Sequence, residues 1–210
     1  MEKKLSFIFL FTITFNFCTA QQKEEKLVRK SFENYKSAIL NDKGDEAVKY
    51  VDSKTIQYYS EILDKTKNAD STDVNSLGLM DKLMVFSIRH RATKDEIMTL
   101  DGKGLLVYAI KKGMVGKNSV ANVSIGDVKI EGTFAKGQFI ANGQKAPFYF
   151  HFHKEDDMWK IDLTSIFPIG TAAFRKMQED SGQEENVYLL SLLEMLTGKQ
   201  PGNEVWKKTE

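Results

Sequence analysis

The stretch Pro147-Phe148-Tyr149-Phe150-His151-Phe152-His153, then Lys154-Glu155-Asp156-Asp157, then Met158-Trp159-Lys160-Ile161-Asp162-Leu163 alternates apolar and polar residues on both sides of an acidic loop. Alternation of period two marks a half-buried strand, and two such runs around a short polar loop make an antiparallel hairpin. A four-residue loop at 154–157 pairs Phe152 with Trp159, Phe150 with Ile161 and Phe148 with Leu163, all on one face. A tight turn at 155–156 keeps the same pairs. The opposite face then carries His153 across from Met158, His151 across from Lys160, and Tyr149 across from Asp162. One face is apolar and the other polar, so the sheet is covered on one side.

Upstream, Val123, Ile125, Val128 and Ile130 continue the alternation with one interruption at Gly126-Asp127, as a bulge produces. Ala135-Lys136-Gly137 and Asn142-Gly143 read as turns, the second a strong hairpin signal.

Before these strands the period changes to that of helices. Val28, Phe32, Tyr35 and Ile39 form one stripe on a helix from Glu24 to Leu40, ended by Asn41-Asp42-Lys43-Gly44. A short segment from Glu46 to Val51 follows, capped by Asp45. Asp52 or Ser53 then starts a helix carrying Ile56, Tyr59 and Leu63. Val74 to Ile88 reads as a third helix rich in Leu and Met, Thr93-Lys94-Asp95-Glu96 as a capping box, and Asp101 to Lys112 as a helix closed by Gly113. After Pro168 the helical period returns in Ala172 to Glu179 and Glu184 to Leu196. Helices followed by a meander of antiparallel strands predict an α+β fold.

The first twenty residues read as an export signal. Lys3 and Lys4 precede an apolar run from Leu5 to Phe17, and Cys18-Thr19-Ala20 places small residues before Gln21. That run is shorter than the roughly 20 residues a membrane-spanning helix needs. Cleavage after Ala20 removes two of the 30 basic and one of the 29 acidic groups and leaves a formal charge of zero. It also removes Cys18, the single cysteine, so the mature chain can form no disulfide and use no thiol chemistry. The expected location is therefore periplasmic or extracellular. A lipid anchor on Cys18 is the minor alternative, since Phe15-Asn16-Phe17 fits a lipoprotein peptidase poorly. A balance of 30 basic and 29 acidic residues offers no electrostatic footprint for nucleic acid.

Three stretches resemble the nuclear-transport-factor-2-like (NTF2-like) superfamily. They are the opening helix with Phe32, Tyr35 and Ile39; the step Lys43-Gly44-Asp45-Glu46-Ala47-Val48; and the closing hairpin from Phe150 to Leu163. The resemblance covers roughly residues 24–165 and implies helices packed on one face of a curved antiparallel sheet, shaped as a cone around a cavity. On this reading residues 21–167 form the domain, with a helical insertion at about 71–115, and residues 168–210 form a C-terminal helical extension packed on it. Members include isomerases, dehydratases and polyketide cyclases with an Asp/His or Tyr/Asp pair inside the cone, alongside many that only bind ligands or proteins. No catalytic residue transfers, because the hairpin arithmetic puts the polar groups on the outer face.

The candidate residues follow from the hairpin. Phe148, Phe150, Phe152, Trp159, Ile161 and Leu163 form an apolar face that could hold a small apolar ligand, and Tyr149, His151 and Asp162 are the polar-face candidates. His151 and His153, at i and i+2, could share a metal with Asp162 or Glu155, but a solvated strand face explains them better, so neither metal nor cofactor is expected. His90 between Arg89 and Arg91 reads as a cationic helix end complementing the macrodipole. The Leu77–Met84 stripe reads as core, with an adaptable pocket as its alternative. The expected role is an exported, non-enzymatic domain binding a small apolar ligand or an envelope protein. The alternatives are an acid/base enzyme of the same superfamily and an assembly protein dimerising through Leu190 and Leu193.

Overall fold

The computed structural model describes residues 5–115 and 117–209, with side chains from Gln21 onward. The chain is α+β. Ten helices, counted among the described residues, pack against a curved, unclosed four-stranded antiparallel sheet of order β1-β2-β3-β4. The helices are α1 (Leu5–Leu40), α2 (Gly44–Ala47), α3 (Ser53–Asn68), α4 (Ser71–Ser76), α5 (Leu79–Arg91), α6 (Lys94–Thr99), α7 (Gly102–Lys111), α8 (Asn118–Ala121), α9 (Phe167–Asp180) and α10 (Glu185–Thr197). The strands are β1 (Val123–Glu131), β2 (Phe134–Ala141), β3 (Gln144–Glu155) and β4 (Met158–Asp162).

The stripe Val28, Phe32, Tyr35 and Ile39 of α1 lies on the inner sheet face with Ala135, Phe150, Phe152, Trp159 and Ile161, all of them buried. The Phe32 and Phe150 rings sit 5.2 Å apart. Polar side chains on α1 fix its position along the sheet. Ser31 donates to the Trp159 carbonyl, Arg29 to that of Ile125 and Lys36 to that of Val123. The Trp159 indole N–H donates to Glu24 at 2.7 Å.

The sheet follows the sequence reading at the bulge between Ile125 and Val128 and at the Asn142-Gly143 turn, where both residues have positive φ (50° and 76°). It departs at two turns. Ala135-Lys136-Gly137 lies inside β2, and the chain reverses instead at Gly132 (φ 62°) and Thr133, between the paired Glu131 and Phe134. The final hairpin turns on Asp156 and Asp157, both with positive φ (49° and 60°), so Glu155 pairs with Met158. Every β3–β4 pair therefore moves by two residues: Phe152 faces Ile161, His153 faces Lys160, and His151 faces Asp162. A two-residue shift preserves the faces, because side chains alternate with period two. Tyr149 pairs with Gln138 of β2, not with Asp162, and Phe148, expected opposite Leu163, lies beyond β4 and is exposed.

Helices α4 and α5 and the C-terminal segment form a second apolar cluster. Val74, Leu79, Val85 and Phe86 from α4 and α5 bury Leu189 and Leu193 of α10 together with Val205. The single helix expected over Val74–Ile88 is two. Asp70 and Asp73 build a capping box that starts α4 early, and α5 restarts after Gly78. Helix α9 likewise starts at Phe167, ahead of Ala172, because Pro168 fits the first turn, where its missing N–H costs nothing.

Arg89 ties this cluster to the main core. Its buried guanidinium donates to the carbonyls of Lys65, Thr66 and Ala69 at the end of α3 and to that of Val205. The neighbouring basic residues go elsewhere: His90 reaches Glu204, Thr197 and the Lys199 carbonyl, and Arg91 reaches the Lys112 carbonyl. The expected helix-end cluster is thus three separate ties. Replacing Arg89 by Met removes its donors from the Ala69 and Val205 carbonyls, while those of Lys65 and Thr66 keep the Ala69 amide and the Thr209 hydroxyl, so Arg89→Met should lower the unfolding free energy by about 3 kcal/mol. Urea denaturation measures the loss, and hydrogen exchange should show residues 185–206 losing protection first. A loss below about 1 kcal/mol with protection retained contradicts the assignment.

Candidate functional site

Two regions carry chemistry, and α3 touches both. The first is on the polar face of the last hairpin, where the α3 N-terminus meets β4. Val51 bridges to Ile161 in parallel, and the Asp52 N–H donates to the Ile161 carbonyl at 3.0 Å. This places Asp52 at the sheet edge as the N-cap of α3, with Oδ1 accepting the Thr55 amide at 2.9 Å. Its Oδ2 lies 2.8 Å from Nδ1 of His153.

Asp162, also fully buried, accepts from Lys54 Nζ at 2.8 Å through Oδ2 and from the Thr164 hydroxyl at 2.5 Å through Oδ1. Burial works against the Asp162 carboxylate, but the Lys54 ammonium and the Thr164 hydroxyl outweigh it and hold its pKa below the ordinary range. Beyond these residues, Glu155 accepts from the Ser53 amide and hydroxyl and from Lys160.

His151 sits across from Asp162, with its ring 5.2 Å from that of Phe134, which also packs 5.6 Å from His153. It lines a shallow groove with Pro147, Phe148, Tyr149 and Ser165, closed on one side by Pro168, Ile169 and Ala172 of α9. The outer sheet face is therefore partly roofed, not simply solvated. Partial burial lowers the His151 pKa, with the Asp162 charge pulling the other way. The structure thus brings two of the three polar-face candidates, His151 and Asp162, side by side, with Tyr149 further along the same groove. It adds Lys54 and Asp52, the latter offered by the sequence only as a helix start, and it sets His153, which the sequence reading had weighed as a metal ligand with Asp162, against Asp52.

The second region is a cavity of about 180 Å³ between α3, α5 and α7. Tyr59 and Ile62 come from α3, Met80, Leu83, Met84, Ser87 and Ile88 from α5, and Leu105 and Ala109 from α7, with Met114 and Val115 closing one end. Burial pushes the Tyr59 phenol up to about 12, so it is neutral at physiological pH. Met80 and Met84 also line an outer groove with Tyr58, Phe167 and Pro168, and so stand between the cavity and the surface. By contrast, five residues of the expected ligand face (Phe150, Phe152, Trp159, Ile161 and Leu163) are buried in the main core against helices, and Phe148 is at the surface.

Comparison of the chain with protein-family models, curated proteins and solved structures finds no match.

Because the folded pKa of His151 lies below the ordinary 6.5, the unfolded chain binds more protons in the window between the two values. Stability should therefore fall as pH drops through 6.5 toward the lower folded value. His151→Gln should flatten that limb. Urea midpoints collected between pH 7.5 and pH 5 test this, and an unchanged slope in the variant contradicts it.

Proposed function

We propose that the chain is an exported domain of nuclear-transport-factor-2-like type that holds a small apolar ligand without transforming it, and that the ligand sits in the cavity between α3, α5 and α7. The observation carrying this reading is a cavity of about 180 Å³ walled by Met80, Met84, Met114, Leu83, Ile62 and Leu105. An apolar cavity of ~150 Å³ suffices for one aromatic ring. Methionine walls adapt to ligand shape, because an unbranched thioether has several low-energy rotamers. The phenol of Tyr59 and the hydroxyl of Ser87 supply the few polar contacts that would orient a ligand.

Support for the family reading is the α+β architecture, with helices on a curved four-stranded antiparallel sheet. Support for export is the charged, apolar and small-residue pattern ending at Ala20. Among the described residues no helix is long and apolar enough to cross a membrane. The described core contacts of α1 begin at Val28, beyond the expected cleavage point, so cleavage spares them. An assembly contact through Leu193 is not favoured, because that side chain is buried in the chain's own second cluster.

Native mass spectra of the chain purified from an exported preparation should show a co-purifying apolar molecule. Adding benzene, toluene or indole to the apo protein should shift the methyl resonances of Met80, Met84 and Met114. A ligand at one hundred times its Kd should raise the unfolding free energy by about 2.7 kcal/mol. Ala109→Leu, which projects into the cavity, should abolish the shifts. A clean apo mass together with unmoved methionine methyls removes this reading.

A further inference from the structure

Asp52 and Asp162 are both wholly buried; among the described residues the Lys54 ammonium bonds Asp162 and the His153 imidazole bonds Asp52. That ammonium is tethered loosely, since 61 % of the Lys54 side chain is exposed, and it touches Asp162 alone. A buried carboxylate is costly unless a cation or strong donors face it. Asp52 meets this need with the Thr55 amide on one oxygen and an imidazole nitrogen on the other. The pair is therefore a buried two-carboxylate site faced by one ammonium and one imidazole.

The geometry is that of a ligand set. One oxygen of each aspartate and one ring nitrogen of His153 form a triplet whose atoms all lie within 4.8 Å of one another. Bonds of about 2.0–2.2 Å to a shared zinc-class ion place such atoms about 3–3.5 Å apart. The His153–Asp52 separation of 2.8 Å is already near that spacing, and Asp162, within 4.8 Å of both, would have to close the rest by side-chain rotation. Each carboxylate is also held by its other oxygen, Asp52 by the Thr55 amide and Asp162 by the Thr164 hydroxyl. These outer bonds orient the inner oxygens in the way second-shell partners of metal ligands do. The elements beneath are rigid: a helix cap and two paired strands.

We propose that Asp52, His153 and Asp162 bind one divalent transition-metal ion of the zinc class. Lys54 holds the cation's place when the metal is away. Metal binding sends the Lys54 ammonium to solvent, and any hydrogen on Nδ1 of His153 moves to Nε2 or is released. One imidazole and two carboxylates leave coordination positions for water. The nitrogen ligand selects zinc, cobalt or nickel over magnesium and calcium, which prefer all-oxygen sites.

The test is titration of the full, tag-free chain with Zn²⁺ by calorimetry and with Co²⁺ by visible absorption, after dialysis against chelator. One equivalent should bind, and millimolar Mg²⁺ should not compete. His153→Ala and Asp162→Asn should each weaken binding at least tenfold. Lys54→Met removes the resident ammonium from a mostly exposed position, so it should tighten binding several-fold while the fold persists. This variant keeps the test decisive even if the buried substitutions unfold the chain. Absence of Zn²⁺ binding in both the wild type and Lys54→Met overturns the proposal and leaves an ion-pair cluster only. So does binding that neither His153→Ala nor Asp162→Asn weakens.

Discussion

The buried carboxylate of Asp52 is the junction between the helical layer and the sheet. Its backbone N–H joins the open edge of β4, one oxygen caps α3, and the other holds His153 on β3. A helix N-terminus concentrates unsatisfied amides and positive potential, so an aspartate there is favoured on its own account. Here the same residue also closes the edge strand, where an exposed ladder would invite pairing with another chain. The position of α3 relative to the sheet follows from this residue, and so do the cavity wall and the polar cluster that α3 carries.

The helices and the alternation of the strands were legible because they rest on local physics. Periodic apolar residues gave the core stripe of α1, and capping side chains gave the starts of α3 and α6. The hairpin faces were legible too, but not the register. Sequence patterning constrains register only to a multiple of two residues, and the turn selects among those choices. Asp156 and Asp157 both accept the left-handed conformation, which moved the turn and with it the partner of His151. Gly137 read as a turn residue for the wrong reason. A Cβ there would lie 3.3 Å from Ile125, so close packing between strands explains that glycine, not chain reversal.

The candidate site was less legible, because its members meet only in three dimensions. Asp52 and His153 are 101 positions apart, and Arg89 bonds to Val205 over 116. No spacing rule connects them. Nor could the sequence show that the inner sheet face is filled. Phe150 packs between Phe32 and Phe139, with ring centroids 5.2 and 5.0 Å away. A cavity lies instead between α3, α5 and α7, with Met80, Met84 and Met114 in its lining, a reading the Leu77–Met84 stripe had offered as its alternative.

The cavity's response to a ligand follows from how its walls are anchored. Helix α3 is pinned at its start by the Asp52 cap and at its end by Arg89, which binds the carbonyls of Lys65, Thr66 and Ala69. Helix α5 is pinned by Arg89 and His90 at its C-terminal end, while Lys82, nearer its start, binds Glu185 of α10. Neither helix can slide without leaving buried polar groups unpaired, each at a cost of about 1–3 kcal/mol. Rotation of Met80, Met84 and Met114 about staggered torsions carries no such penalty. The methionine side chains must therefore do the adapting, while the Asp52 cap stays fixed at the start of α3.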